Sequence, residues 1–182
     1  MLEKEVKYLI SQEAYEKAVE GRDKIIQTNY YFFTSEKNSD LTLRIRQKKS
    51  EYELTMKIKK EINDDIFISE ELNKIISLEE MQRHINDGIS GEYLKKTFGI
   101  YINDATQFCC KGSLITERTR IETKEGFTLE LDKNEYLGVV DYEIECECIN
   151  DEQLHRAKAY IKQHFETSRT VPKTIRFLTK LQ

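Results

Sequence analysis

The sequence predicts an α+β protein built around a closed or nearly closed antiparallel β-barrel with a polar lumen and an apolar outer wall. Three observations support this fold class. About eight segments have the two-residue period of strands, and short turns join most of them. Each strand alternates apolar with polar side chains. The charges of each strand have one dominant sign, which differs between strands. Because a surface adapted only to solubility mixes the signs, we expect the charged faces to meet in an enclosed lumen.

The composition favours one globular domain over residues 1–182. Charged residues make up 34% of the chain and hydrophobic residues 38%, and there is a single proline. The net charge of −4 argues against a nucleic-acid or membrane-surface partner, both of which require basic excess. There is no membrane span, and the charged first residues do not form a secretory signal. We therefore expect a cytoplasmic protein.

The first strand, residues 2–10, sets the pattern for the charged faces. Side chains alternate along a strand, so Glu3, Glu5 and Lys7 share one face. A solvated edge strand, in which charges block aggregation, is the alternative interpretation. Ser11 can then cap a short helix over 11–21.

Two further strands form a predicted hairpin around Lys49 and Ser50. Residues 41–47 place Thr42, Arg44 and Arg46 opposite three aliphatic residues, and residues 52–59 place Lys57 and Lys59 opposite Tyr52, Leu54, Met56 and Ile58. The aromatic strand 25–33 and a polar turn over 34–40 come before this hairpin.

The rest of the chain follows the same logic. Strands are predicted over 66–72, 108–122, 127–132 and 139–149, and helices over 78–85, 92–98 and 151–165, with a helical end to the tail 172–181. The polar faces of the later strands contain Arg118 and Arg120, then Glu130 and Asp132, then Glu143, Glu145 and Glu147. Grouped carboxylates suit Mg²⁺ or Mn²⁺, and grouped guanidinium and ammonium groups suit phosphate.

Other catalytic chemistries have little support. There is no Gly-rich phosphate loop, and the three histidines, His84, His155 and His164, fall in predicted helices. The cysteines Cys109, Cys110, Cys146 and Cys148 lack zinc-site spacing. We expect Cys146 and Cys148 to pack as small apolar groups, because they alternate with glutamates.

The motifs resemble those of the CYTH superfamily, also called triphosphate tunnel metalloenzymes. Residues 3–7 read E-x-E-x-K, which resembles the N-terminal signature of the family. Four matches follow in order: L-R-x-R at 43–46, L-T-x-K at 54–57, a strand ending in an acidic residue at 129–132, and E-x-E within 143–147. The resemblance implies an eight-stranded antiparallel tunnel that binds a triphosphate with a divalent metal.

The resemblance also implies roles for individual residues. The implied metal ligands are Glu3, Glu5, Asp132, Glu145 and Glu147, and the implied substrate-binding residues are Lys7, Arg44, Arg46, Lys57, Arg118, Arg120 and Lys173. Glu5, Lys57 and Glu145 are the implied catalytic residues. The choice between Arg118 and Arg120, and among Glu143, Glu145 and Glu147, stays open because each set shares one face. The substrate-binding role of Lys173 rests on a short sequence match, and the sequence is equally consistent with a solvated lysine at this position.

The functional prediction is Mg²⁺- or Mn²⁺-dependent hydrolysis of a small triphosphate, most simply inorganic tripolyphosphate, by a monomer or homodimer. The resemblance also admits a thiamine or nucleoside triphosphatase and a class IV-type adenylate cyclase. Two hypotheses without catalysis stay open as well: a polyphosphate-binding module, and a structural barrel whose charges pair internally.

Overall fold

A computed structural model describes residues 2–34, 41–63 and 65–181, with side chains described except at 62 and 63. The predicted polar turn lies largely in 35–40, outside the described residues. The strands are β1 (Leu2–Ile10), β2 (Ile25–Phe33), β3 (Leu41–Lys48), β4 (Glu51–Asn63), β5 (Ile66–Ile76), β6 (Ile89–Ser90), β7 (Gln107–Glu122), β8 (Thr128–Tyr136), β9 (Val139–Cys148) and β10 (Thr167–Ser168). The helices are α1 (Gln12–Val19), α2 (Leu78–Asp87), α3 (Gly91–Phe98), α4 (Asp151–His164) and α5 (Lys173–Leu181).

Eight strands form a closed antiparallel barrel. Their order is β1-β5-β4-β3-β2-β7-β8-β9, and pairing of β9 with β1 closes the ring. The seam aligns Glu5 with Glu147 and Lys7 with Glu145. Since closure leaves one face of every strand turned inward, the predicted α+β barrel fold with a polar lumen is confirmed.

Helices cover the apolar outer wall on two sides. On one side, Val6, Tyr8, Ile144 and Cys146 pack in a core with α1 and α4. On the other side, the outward aliphatic residues of β3 and β4 pack against α2 and α3. Ser11 caps α1, and Ser77 with Glu80 forms a capping box on α2. The helices therefore have fixed starting points and bury the wall that alternation predicts.

Helix α5 lies across one end of the barrel. Its Phe177 packs against Tyr31, Leu114 and Tyr136, which come from the neighbouring strands β2, β7 and β8. The close approach requires a residue without a side chain on β7: Gly112 has φ 134°, and an added Cβ there would lie 3.1 Å from the Phe177 ring. As a result, Lys173 at the start of α5 is directed at the barrel interior.

Differences from the predicted elements occur mainly at element ends. The β4–β5 hairpin is longer than expected, reaching Asn63 and Ile76, and α1 stops at Val19. A register shift between Lys59 and Glu61 accounts for a break in strict alternation there. Cys146 and Cys148 are unpaired by disulfides and buried in the apolar layer, as predicted. Within the described residues, none of the helices is both long and apolar enough to cross a membrane.

Candidate functional site

The inward faces of the strands enclose a cavity of about 350 Å³. Its lining comes from β1, β2, β3, β4, β5, β7 and β9, together with the segment that begins α5. Ten of the predicted site residues line it: Glu3, Glu5, Lys7, Arg44, Arg46, Lys57, Arg118, Glu145, Glu147 and Lys173. The fold thus brings together residues from opposite ends of the sequence.

A carboxylate group forms where β1 meets β9. Glu3 and Glu5 on β1 both contact Lys57 of β4, with 3.4 Å between Lys57 Nζ and Glu5 Oε1. Glu147 lies across the seam from Glu5 and has no ion-pair partner among the described residues. Partial desolvation and the charges of Glu3, Glu130 and Glu5 raise the pKa of Glu147 to about 7. This end of the cavity therefore has an excess of negative charge.

Lys7 lies between the seam carboxylate Glu5 and the buried carboxylate Glu145. Its ammonium lies 2.7 Å from Glu5 Oε1 and 3.0 Å from Glu145 Oε1, and both glutamates are buried. Burial alone would lower the pKa of Lys7, but the charges of Glu145 and Glu5 outweigh burial and raise it. Lys7 is thus a permanent cation in the wall.

A second carboxylate group is already neutralised by cations. Oxygens of Asp132, Glu143 and Glu145 come within 4.8 Å of one another. Lys173 Nζ contacts all three at 2.5 to 2.9 Å. Arg118 binds Asp132 bidentately, at 2.7 and 2.6 Å, and reaches Glu145 at 2.8 Å. The cluster behaves as a buried ion-pair network rather than as open metal ligands.

The opposite wall carries two arginines whose positive charges are only weakly neutralised by nearby carboxylates. In the ring order, β3 is four strands from β9, and it contributes Arg44 and Arg46. Arg46 forms no ion pair with any described residue, and its Nε donates to Asn29 Oδ1 at 3.1 Å. Burial and the nearby charges of Arg44 and Arg118 lower the pKa of Arg46 to about 10. An anion bound here would relieve this repulsion.

Arg44 has only one long ion pair among the described residues. The distance from Arg44 Nη2 to Glu71 Oε1 is 3.7 Å. The buried Nε of Arg44 has no hydrogen-bond partner among the residues that the structure describes. Glu71 also accepts Lys57 at 3.3 Å. Sequence reasoning missed Glu71, because Glu70 and Glu71 adjoin and their faces cannot be told apart without the register of β5.

Two predicted site residues lie outside the cavity lining. Arg120 shares the inward face of β7 with Arg118, but its side chain is 56% exposed and is held by Glu130. The open choice between the two arginines therefore falls on Arg118. Asp132 is fully buried behind the Arg118 and Lys173 cations, so its oxygens do not face the cavity. Lys173 is not a solvated lysine.

The histidines and cysteines of the chain lie away from the cavity. His84 packs on the Tyr93 ring, and His155 and His164 bond backbone carbonyls within α4. Neither these histidines nor the four cysteines line the cavity.

The donor chemistry at the seam fits a divalent cation. Glu3, Glu5 and Glu147 offer carboxylate oxygens, the ligand type that Mg²⁺ and Mn²⁺ prefer. Glu147 is exposed, and partial desolvation with the charges of Glu3 and Glu5 raises its pKa, so a cation that enters from solvent can reach its carboxylate. The Asp132–Glu143–Glu145 cluster fits less well, since three cations (Lys173, Arg118 and Arg176) contact its oxygens, whereas the seam glutamates share the two lysines Lys7 and Lys57.

Comparison with solved structures shows the same fold in other proteins. HpAC1 from Hippeastrum, described as a proposed adenylyl cyclase with a dominant triphosphatase activity, is 23% identical, with a TM-score of 0.78 over 97% of this chain and 95% of that one. A Bacillus halodurans protein, described as a proposed adenylate cyclase, is 28% identical, with a TM-score of 0.77 over 95% of each chain. PH1819 from Pyrococcus horikoshii is 17% identical, with a TM-score of 0.64 over 99% of each chain.

A search of curated proteins gave no significant match. Residues 1–174, by contrast, match the family described as the CYTH domain. With its eight-stranded barrel and charged lumen, the chain belongs to the CYTH family.

Proposed function

We propose that this protein hydrolyses a triphosphate in its barrel, with inorganic tripolyphosphate as the substrate and Mg²⁺ or Mn²⁺ as the cofactor. One observation carries the proposal: carboxylates at the β1–β9 seam face the under-compensated arginines of β3 across one enclosed cavity. A phosphate chain placed between these walls would meet guanidinium donors on one side and, through a cation, carboxylates on the other.

The protein's cations would bind and orient the phosphate chain. Among the described residues, Arg46 forms no ion pair and Arg44 forms one long pair, at 3.7 Å to Glu71, and such planar groups bind phosphate oxygens two at a time. Burial acts to lower the pKa of Lys57, but the charges of Glu5, Glu3 and Glu71 together outweigh burial and raise the pKa, so this ammonium remains a donor. Enclosure strengthens each contact, because water screens charges less inside the barrel.

The carboxylates would have two different tasks. Glu3, Glu5 and Glu147 would hold the divalent cation, which when bound neutralises phosphate oxygens and supplies an activated water. Glu145 is engaged by Lys7, Arg118 and Lys173. Burial raises its pKa, but the surrounding cations hold the pKa well below the usual range. Glu145 would therefore fix the positions of those cations rather than accept a proton.

The surroundings of the aromatic residues favour an inorganic substrate. Tyr30 and Phe32 pack on the outer wall, and the ring of Tyr31 lies 5.3 Å from that of Phe177. Tyr31 and Phe67 line the cavity, but they are only 1% and 4% exposed, so neither ring offers an open face for stacking on a base. A triphosphate ester is the second candidate, because Val171 and Ile175, which are 46% and 37% exposed, also line the cavity and offer apolar contact. HpAC1, described as having a dominant triphosphatase activity, supports phosphoanhydride hydrolysis in either case. The wider proposal is a cytoplasmic monomer or homodimer that needs neither nucleic acid nor membrane.

A substrate panel tests the proposal. Tripolyphosphate, ATP, thiamine triphosphate and pyrophosphate are incubated with Mg²⁺, Mn²⁺ or EDTA, and both orthophosphate and cyclic AMP are measured. We expect metal-dependent orthophosphate release, fastest from tripolyphosphate. Tight binding without release would identify a binding module, and cyclic AMP without orthophosphate would identify a cyclase.

Two variants link the activity to the cavity. Glu3→Gln and Arg44→Met should each abolish turnover while the protein stays folded, and Glu125→Gln, in an exposed turn, serves as the matched control. If the two cavity variants lose stability but keep specific activity, the charges are structural and the proposal is wrong.

A further inference from the structure

Gln27 is a buried cavity residue whose side chain has no partner among the described residues. It lies on the inward face of β2, is 5% exposed and lines the cavity, yet its carboxamide makes no hydrogen bond with any of them. The neighbouring neutral groups are engaged: Asn29 accepts from Arg46 at 3.1 Å, and Thr116 donates to Asn134 at 2.8 Å. No Gln27 atom is among the fully occluded side-chain atoms that lack a partner, so the carboxamide is open to the cavity, where a ligand can form a hydrogen bond with it.

The amide lies in the deep part of the cavity. Gln27, Asn29 and Thr116 are 5%, 2% and 0% exposed, whereas Lys59 and Val171, elsewhere in the lining, are exposed. A ligand that enters past the exposed residues would place its leading end beside Gln27.

The surrounding strands make this part strongly cationic. Strand β2 lies between β3, which contributes Arg44 and Arg46, and β7, which contributes Arg118. In the strand register, Thr116 is opposite Gln27, and Arg46 is opposite Asn29. Arg118 is already paired with Asp132 and Glu145, so Arg44 and Arg46 are the guanidinium groups that an anionic leading end would meet there.

We propose that Gln27 is a substrate-recognition residue whose carboxamide N–H groups donate to the phosphoryl group inserted deepest in the barrel. This inference rests on the proposed triphosphate function and specifies how one end of the substrate is recognised. A neutral donor is suited to this position because it adds a hydrogen bond to phosphate without adding to the repulsion among Arg44, Arg46 and Arg118. A fourth cation would increase that repulsion.

Three variants separate recognition from a structural role. Gln27→Leu removes the donor but keeps the bulk, Gln27→Glu replaces it with an acceptor that repels phosphate, and Gln163→Leu on the exposed face of α4 is the control. If Gln27 serves the ligand, Gln27→Leu leaves the melting temperature of the free protein unchanged or higher. Gln27→Glu raises that temperature, because the new carboxylate can pair with arginine.

The measurements are binding of inorganic tripolyphosphate by calorimetry and steady-state phosphate release. We expect Gln27→Leu to raise Kd and KM about 10- to 100-fold, the range for loss of a hydrogen bond to a charged group. Gln27→Glu should weaken binding further, and Gln163→Leu should match the wild type. A Kd for Gln27→Leu within twofold of wild type would overturn the inference, as would a lower melting temperature with unchanged Kd.

Binding and hydrolysis by the wild-type protein test the proposed triphosphatase function independently of Gln27. If it binds and hydrolyses tripolyphosphate or an ester of the panel, the ratio of variant to wild-type affinity for that substrate tests Gln27 alone. If the wild type binds none of them, the proposed function fails, and the role of Gln27 fails with it.

Discussion

Replacing Lys173 by methionine gives the most direct test of how the barrel tolerates its buried charge. The Lys173 ammonium touches Asp132, Glu143 and Glu145 at 2.5 to 2.9 Å, and its side chain is 12% exposed. Methionine keeps the approximate length and removes the charge. The three buried carboxylates lose the cation that they share, although Arg118, Arg176 and Lys7 still contact them. Because deleting one member of a buried ion pair costs about 3–5 kcal/mol when no other partner remains, we expect a cost of up to that size. For a chain of this size, that corresponds to a melting temperature about 6–20 °C lower.

The loss of stability should depend on pH in a defined direction. Burial raises the pKa of Glu143 to about 7 even though Lys173 lowers it, so removing Lys173 moves it further up. The raised pKa means that the folded variant holds a proton that the unfolded chain releases. Stability therefore falls as pH rises, and the deficit relative to wild type should grow by about 1.4 kcal/mol per pH unit above pH 7.

Urea unfolding at pH 6, 7 and 8 measures both effects. Lys180→Met, an exposed position on the same helix, is the control for lost charge on α5, and Lys173→Arg tests whether charge alone rescues stability. A Lys173→Met protein as stable as wild type at pH 8, or a deficit that does not change between pH 7 and 8, would show that Lys173 does not neutralise the cluster.

Three further outcomes follow from the same structure. Arg46→Met should weaken tripolyphosphate binding about 10- to 100-fold without destabilising the free protein, because Arg46 has no ion pair to lose among the described residues; calorimetry and melting curves measure both. Glu147→Gln should reduce Mg²⁺ affinity in titrations. Because the Glu147 pKa is raised to about 7, this variant should also melt higher than wild type at pH 8 but not at pH 4, where both side chains are neutral. Leu54→Ala, in the buried outer wall, should cost about 2–5 kcal/mol in urea unfolding while the specific activity of the folded fraction is unchanged.

Much of the architecture is predictable because alternation along a strand is a local property. Arg44 and Arg46 lie inward and Leu43 and Ile45 outward, as the two-residue period requires. The same rule places the buried Cys146 on the face opposite Glu145 and Glu147. Local patterning thus assigns each residue to a face of the wall.

Position along the barrel is not a local property. Arg118 and Arg120 share one face, and only the register with β8 and the limits of the cavity distinguish the buried residue from the exposed one. Glu70 and Glu71 are adjacent, and only the pairing of Glu71 with Lys57 in the β4–β5 register shows which of the two faces inward. The sequence did not indicate Gln27 as a site residue, because the site was predicted from charged side chains and Gln27 is neutral.

Closure through the β1–β9 pair has a consequence for biosynthesis. The carboxylates proposed to bind the cation come from both sides of that seam, Glu5 from the first strand and Glu147 from the last barrel strand. A nascent chain therefore cannot assemble the cation site until β9 has left the ribosome and docked onto β1. Metal and triphosphate would then stabilise only the fully closed barrel. Translation intermediates would have acidic and basic strands that are not yet paired, and neither ligand could stabilise them.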